Sequence, residues 1–261
     1  MSDSAVVLFD VSDGIATITL NRPEARNALS TEMLTLIPQR MREADGRDDV
    51  DVVILTGTDP AFCAGLDLKA LGSGGLRPGA AGADGDDDPI GAMKPFTPIS
   101  KPVIGAINGV AVTGGLELAL HCDFLIASER AKFGDTHARV GVMPGWGLTV
   151  LLPQAVGLRR AREMSFTGNF MLADEALHFG LVNRVVAHDE LLPICRSIAA
   201  DIIGNDQPGV RQVRATYAEI HASTDGLDIE TRISKWWQRD VFSAEAVAAR
   251  RAAIQARGKT Q

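Results

Sequence analysis

The sequence predicts a mixed α/β fold, and three observations carry that prediction. Apolar, β-branched runs at residues 50–56, 102–112 and 123–127 recur through the first two-thirds of the chain. Helical periodicity lies between and after them, and the opening residues alternate apolar and polar side chains about a turn. A chain of 261 residues with 46% hydrophobic side chains can bury a large core, as one big domain or as a domain with a smaller appendage.

Residues 6–10 and 14–20 flank Ser12-Asp13-Gly14, a hairpin signal, so the chain opens with antiparallel strands. Ser30 can cap a helix whose apolar positions Leu34, Ile37, Met41 and Ala44 repeat at helical spacing, with Leu29 placed to staple against Leu34 and Pro38 marking a kink. A buried strand follows over 50–56. The small and β-branched run 102–112 reads as a second strand feeding Gly114-Gly115, where a helix starts, and 123–127 as a third. From Ala161 onward the periodicity is helical, through 173–179 and again 191–203. Asn205-Asp206-Gln207-Pro208-Gly209 marks the expected joint, dividing a core at 1–204 from a C-terminal helical region at 205–261. Residues 72–91 are rich in glycine and aspartate and read as a loop, whose acidic run is a solvated charge cluster rather than a metal site.

Composition narrows the function. A formal net charge of −7 disfavours nucleic acid as the main partner. No apolar run approaches the length of a membrane span, and the first residues lack the basic and apolar pattern of an export signal. Three scattered cysteines, Cys63, Cys122 and Cys195, form no CxxC pair and suit a reducing, cytoplasmic setting. Gly258-Lys259-Thr260 lacks the upstream glycine of a phosphate loop. Gly145-Trp146-Gly147 lacks the third glycine of a dinucleotide fingerprint, and no Gly-x-Ser-x-Gly elbow occurs. His121-Cys122-Asp123 is no metal cluster, because adjacent helical side chains diverge; no metal and no cofactor are expected.

What remains is a pair of strand-to-helix turns built of small residues, at 61–68 and 111–117. Unpaired N–H groups in such turns can converge on one oxygen, and each donor to an oxyanion is typically worth about 3 kcal/mol. Glu117 sits one turn into the apolar segment Gly114-Gly115-Leu116-Glu117-Leu118. Two readings of it stand at this point: a carboxylate complementing the helix dipole, or an acid/base beside an anion hole.

These motifs resemble the crotonase superfamily, the enoyl-CoA hydratase/isomerase family. The resemblance rests on residues 18–29 (Ile-Thr-Leu-Asn-Arg-Pro-Glu-Ala-Arg-Asn-Ala-Leu), 62–67, 101–109, 114–123, Phe133-Gly134 and Thr167-Gly168 with 173–186, and so covers almost the whole chain. It implies a spiral of ββα turns forming two sheets, a C-terminal helical region that builds homotrimers or homohexamers, and an acyl-CoA ligand whose coenzyme A is part of the substrate. It implies oxyanion-hole N–H donors at Ala64 and Gly114, Leu66 and Asp67 beside the thioester, and Glu117 as the first catalytic carboxylate. The implied activity is hydration of trans-2-enoyl-CoA in fatty-acid or related acyl-CoA metabolism. The family's hydratases carry a second glutamate in Phe-Gly-x-x-Glu, whereas this chain has Phe133-Gly134-Asp135-Thr136-His137. His137 then stands as partner acid/base, its ordinary pKa suiting proton transfer near neutrality. The departure equally suits double-bond isomerisation or other single-glutamate enolate chemistry, and a non-catalytic acyl-CoA binding protein is the reading of a different class. Trp146 replaces a small residue after Pro144-Gly145, where it shapes the acyl pocket or packs away from it. Arg26, with Arg22, is a candidate for CoA phosphates. Trp236-Trp237 suits a subunit interface, and the basic residues at 250–251 and 257–259 suit a terminal phosphate contact.

Overall fold

The computed structural model describes residues 5–67 and 96–221, with most positions between 231 and 249. The 72–91 loop, Trp237 and the basic residues at 250–251 and 257–259 lie outside the described residues.

The hairpin forms as expected. Strands β1 (Val7–Ser12) and β2 (Ile15–Leu20) pair antiparallel from Val7↔Leu20 to Ser12↔Ile15. Asp13 and Gly14 take φ of 55° and 77°, the positive values a two-residue turn of this hand requires. Ser30 caps α1 (Thr31–Asp45), its hydroxyl accepting from Met33 N–H at 3.3 Å, and Pro38 lies inside the helix.

The large sheet continues in parallel through β3 (Val52–Gly57), β5 (Val103–Ile107), β7 (Phe124–Ser128) and β10 (Arg184–Val186), in the order β1-β2-β3-β5-β7-β10. Side chains alternate across it with period two. Val53, Leu55, Val103 and Ile107 face the core that includes Met33, Ile37 and Met41 of α1. Val52, Ile54, Ile104 and Ala106 face Leu191, Cys195 and Ala199 of the later helix α7 (Leu191–Ile203). Both faces are covered, which is why these strands read as continuous apolar runs rather than alternating ones.

A second sheet holds β4 (Ala61–Cys63), β6 (Val110–Val112), β8 (Lys132–Gly134) and β9 (Met171–Leu172), in that order. The run 102–112, expected as one strand, is therefore two strands in two sheets. Asn108 and Gly109 make the crossing. The Asn108 amide donates to Asp59 Oδ1 at 2.9 Å, and a Cβ on Gly109 would stand 2.5 Å from Pro60 O, so only glycine lets the backbones approach there. Strand β10 is also a correction, since its stretch falls within the region read as helical. It is three residues long, too short to interrupt a periodicity measured over a helix.

The remaining helices are α2 (Gly114–Leu120), α3 (His137–Val140), α4 (Leu148–Val156), α5 (Leu158–Thr167), α6 (Ala173–His178), α7 and α8 (Gln207–His221). Among the described residues no helix is long and apolar enough to cross a membrane. The chain thus climbs repeatedly from the large sheet to the small one and then into a turn or helix. Because β4, β6 and β8 pair in parallel, with Cys63 opposite Ala111 and Val112 opposite Gly134, the turns after them emerge side by side. That juxtaposition builds the site.

Candidate active site

Three turns meet here: residues 64–67 after β4, 113–117 after β6 and 135–137 after β8. Glu117 is the fourth residue of α2, only 2% exposed, and its N–H closes the helix's first bond to Thr113 O at 2.9 Å. Glu117 Oε1 accepts from the backbone N–H groups of Trp146 at 2.9 Å and Gly145 at 3.3 Å. Its other oxygen, Oε2, lies 3.4 Å from His137 Nε2. The two residues expected to work together are thus in direct contact.

His137 opens α3, and its second ring nitrogen is also engaged: Nδ1 lies 2.6 Å from Asp135 Oδ1, which further accepts from His137 N–H at 3.1 Å. Asp135 is buried and takes a further bond from the Ser165 hydroxyl of α5. Burial is the largest single influence on the His137 ring and disfavours its charge, but the combined pull of Glu117 and Asp135 outweighs it and pushes the pKa up to about 10. That direction favours the charged form of the ring, which lies between the Glu117 and Asp135 side chains. Asp135 is held below its ordinary value although burial opposes that, because His137 and Ser165 bond its ionised form.

Gly114 N–H meets no acceptor among the described residues, as the first turn of a helix requires. Ala64, whose N–H was expected beside that of Gly114, is engaged within the turn. Ala64 N–H is spent on Arg26 O at 3.0 Å. Leu29 bridges Leu66 in parallel: its N–H donates to Gly65 O at 2.8 Å and its O accepts from Asp67 N–H at 3.1 Å, which turns the Leu66 N–H to the opposite side. Leu66 N–H has no acceptor among the described residues. A Cβ on Gly65 would stand 3.5 Å from Gly114 N, so this turn lies against the start of α2.

Asp67 is bound to Arg22 Nη2 at 3.2 Å, and Arg22 Nη1 donates to Ala28 O at 2.6 Å, an anchor for the loop. Arg26 contributes its carbonyl, from a left-handed φ of 50°, while its guanidinium is exposed. Trp146 lies at the site: a Cβ on Gly114 would stand 2.7 Å from its Cζ3, so the ring covers the start of α2. Sequence reasoning missed the backbone N–H groups of Gly145 and Trp146, for which no side chain gives a signal. It also missed Thr113, whose φ of 54° and ψ of −120° hold its hydroxyl 2.5 Å from that of Thr136, joining the turns that carry Gly114 and His137. Among the described residues no three His, Cys, Asp or Glu side chains are grouped to hold a metal.

The family model for enoyl-CoA hydratase/isomerase matches residues 10–247. The chain belongs to that family. It is 40% identical over 233 residues, 88% of this chain and 82% of the relative, to a probable peroxisomal enoyl-CoA hydratase 1 of Arabidopsis thaliana. It is 36% identical to a crotonyl-CoA hydratase of Syntrophomonas wolfei over 90% of this chain and 88% of that one. Among solved structures, an enoyl-CoA hydratase from Mycobacterium smegmatis superimposes with a TM-score of 0.81 at 50% identity, covering 91% of this chain and all of that one. The two sheets, the spiral climb and the intervening helices are therefore the crotonase fold.

Proposed function

We propose that this protein is an enoyl-CoA hydratase, adding water across the double bond of a trans-2-enoyl-CoA. The observation that carries the reading is Glu117, with Oε1 fixed by two backbone N–H groups and Oε2 facing His137 Nε2 at 3.4 Å, beside the Gly114 and Leu66 N–H groups, which meet no acceptor among the described residues. Those two donors hold the thioester oxygen and stabilise the enolate as charge moves onto it. Glu117 takes a proton from water as the water oxygen bonds to Cβ. His137, as the imidazolium, gives its Nε2 proton to Cα, and the carbonyl re-forms as the enolate collapses. Glu117 then holds one proton and His137 lacks one. Transfer across their contact restores both.

The donor assigned to Ala64 moves to Leu66 in this reading, because a spent N–H cannot serve a substrate. Leu66 and Asp67 border the thioester, Trp146 narrows the acyl side, and the exposed Arg26 guanidinium is available to a CoA phosphate. No cofactor is needed beyond the coenzyme A of the substrate. Exposed Phe166 and Tyr217, at 78% and 65%, support a homotrimer or homohexamer in which neighbouring subunits cover them. Three buried free thiols support a reducing, cytoplasmic location.

Isomerisation of a 3-enoyl-CoA is the second reading, favoured by the direct Glu117–His137 contact, which forms one continuous proton shuttle. Steady-state assays with crotonyl-CoA and with a 3-enoyl-CoA decide. Hydration of the first supports the proposal, turnover of only the second supports isomerisation, and binding without turnover of either removes both.

A further inference from the structure

We infer that Asp135 is a positioning residue for proton transfer, fixing the His137 ring so that Nε2–H and no other ring atom faces Glu117. The inference rests on the reading above, in which Glu117 and His137 exchange protons with substrate.

One oxygen of Asp135 takes two donors from the same residue, His137 N–H at 3.1 Å and Nδ1 at 2.6 Å. Two attachments, one to backbone and one to ring, determine both side-chain torsions of His137. A carboxylate only accepts, so Nδ1 must carry hydrogen, and every proton exchanged with substrate passes through Nε2. Asp135 is itself held from another element by the Ser165 hydroxyl of α5, and it is 2% exposed, so it cannot swing away with solvent. The charged groups facing the ring are Glu117 from α2 and Asp135 from the turn after β8. A bare turn-former at position 135 would need only the backbone bond. The shorter contact, to Nδ1, is the one a turn does not require.

The test is Asp135→Asn, which keeps the shape and the acceptor for His137 N–H but removes the charge. On crotonyl-CoA, kcat is expected to fall about 10- to 100-fold with KM changed by less than about threefold, an interaction lost mainly in the transition state. The alkaline limb of the kcat profile should move to lower pH, because one of two anions supporting the imidazolium is gone. Asp135→Glu, which restores charge at a longer reach, should recover part of the rate. In the double variant with His137→Gln, the asparagine change should cost nothing further, since it acts through the ring. A parent-like rate and alkaline limb in Asp135→Asn, or full additivity in the double variant, overturns the inference while leaving the hydratase reading intact. If His137→Gln alone hydrates at the parent rate, the underlying reading fails instead. Should Asp135→Asn not fold, ¹⁵N spectra of the parent's His137 ring at pH 8 decide the matter: a protonated Nδ1 supports the inference and an unprotonated Nδ1 overturns it.

Discussion

Replacing Glu117 by glutamine keeps the side chain's volume and one acceptor oxygen while removing its capacity to take a proton. The amide oxygen can still receive the N–H groups of Gly145 and Trp146, now 3.3 and 2.9 Å from Oε1, so the local backbone stays in place. The amide nitrogen would then face His137 Nε2, where Oε2 now lies at 3.4 Å. Removing one partner of a buried ion pair typically costs about 3–5 kcal/mol. Here the cost is smaller, because His137 keeps Asp135 as a partner and can relieve the imbalance by releasing its proton. The folded state should survive. Catalysis should not: positioned proton transfer contributes about 10²- to 10⁴-fold, so kcat for crotonyl-CoA is expected to drop by at least about two orders of magnitude, or about 2.7 kcal/mol of barrier. Affinity for the thioester should change little, since Gly114 and Leu66 supply their N–H groups from the backbone. The assay follows loss of the conjugated thioester's ultraviolet absorbance, with circular dichroism to confirm folding and calorimetry to measure acyl-CoA binding. A folded variant whose kcat stays within about tenfold of the parent would refute Glu117 as the base.

An amide-to-ester replacement at Leu66 deletes only its N–H and should lower kcat by about 10²- to 10³-fold. The same change at Ala64 should cost roughly 0.5–1.5 kcal/mol of stability and spare kcat; the reverse pattern would return the donor to Ala64. His137, with a folded pKa of about 10 against an ordinary 6.5, contributes stability that is complete below about 6.5 and is lost as pH rises through about 10. Thermal melts of the parent and His137→Gln should therefore converge from pH 7 to pH 10, and a gap that does not change with pH contradicts the charged pair. Lys101, 2% exposed, donates to Ala44 O at 2.8 Å and Arg47 O at 2.6 Å at the end of α1. Lys101→Met should cost about 1–3 kcal/mol by stranding those carbonyls, and an unchanged melting temperature would show that they find other partners.

How much of this was legible in the sequence depended on whether a feature is carried by side-chain pattern or by backbone direction. The hairpin at Asp13-Gly14, the cap at Ser30 and the start of α2 at Gly114 are local, and each follows from a few neighbouring residues. The bend at Asn108-Gly109 is not local. The runs 103–107 and 110–112 on either side of it are both apolar because both sheets bury them, so hydropathy alone does not mark where one sheet ends and the other begins. That the Ala64 N–H is spent on Arg26 O was hidden for a similar reason. In a parallel bridge alternate N–H groups face opposite sides, and Leu29 fixes which side Leu66 faces from more than thirty positions away. The contact between Glu117 and His137 follows from the register of β6 and β8, which no spacing in the sequence reports.

Trp146 shows why a large residue after Pro144-Gly145 bears on the chemistry even though it donates no side-chain group to it. Its ring covers Gly114 at the start of α2, its N–H holds Glu117 in the middle, and its carbonyl accepts from His121 Nε2 at 2.6 Å at the helix's end. A carbonyl cannot donate, so His121 must carry hydrogen on Nε2, and its ring is further braced by stacking on Phe96 with centroids 5.2 Å apart. One residue therefore clasps α2 along its whole length. The consequence reaches Glu117 atom by atom: with Oε1 taken by two backbone donors, a proton can be accepted readily only at Oε2. That oxygen is the one His137 faces. In the proposed mechanism the direction of proton flow is then set by main-chain groups of the 145–146 turn, and histidine can replace the second glutamate there because the first glutamate has only one oxygen left to take a proton.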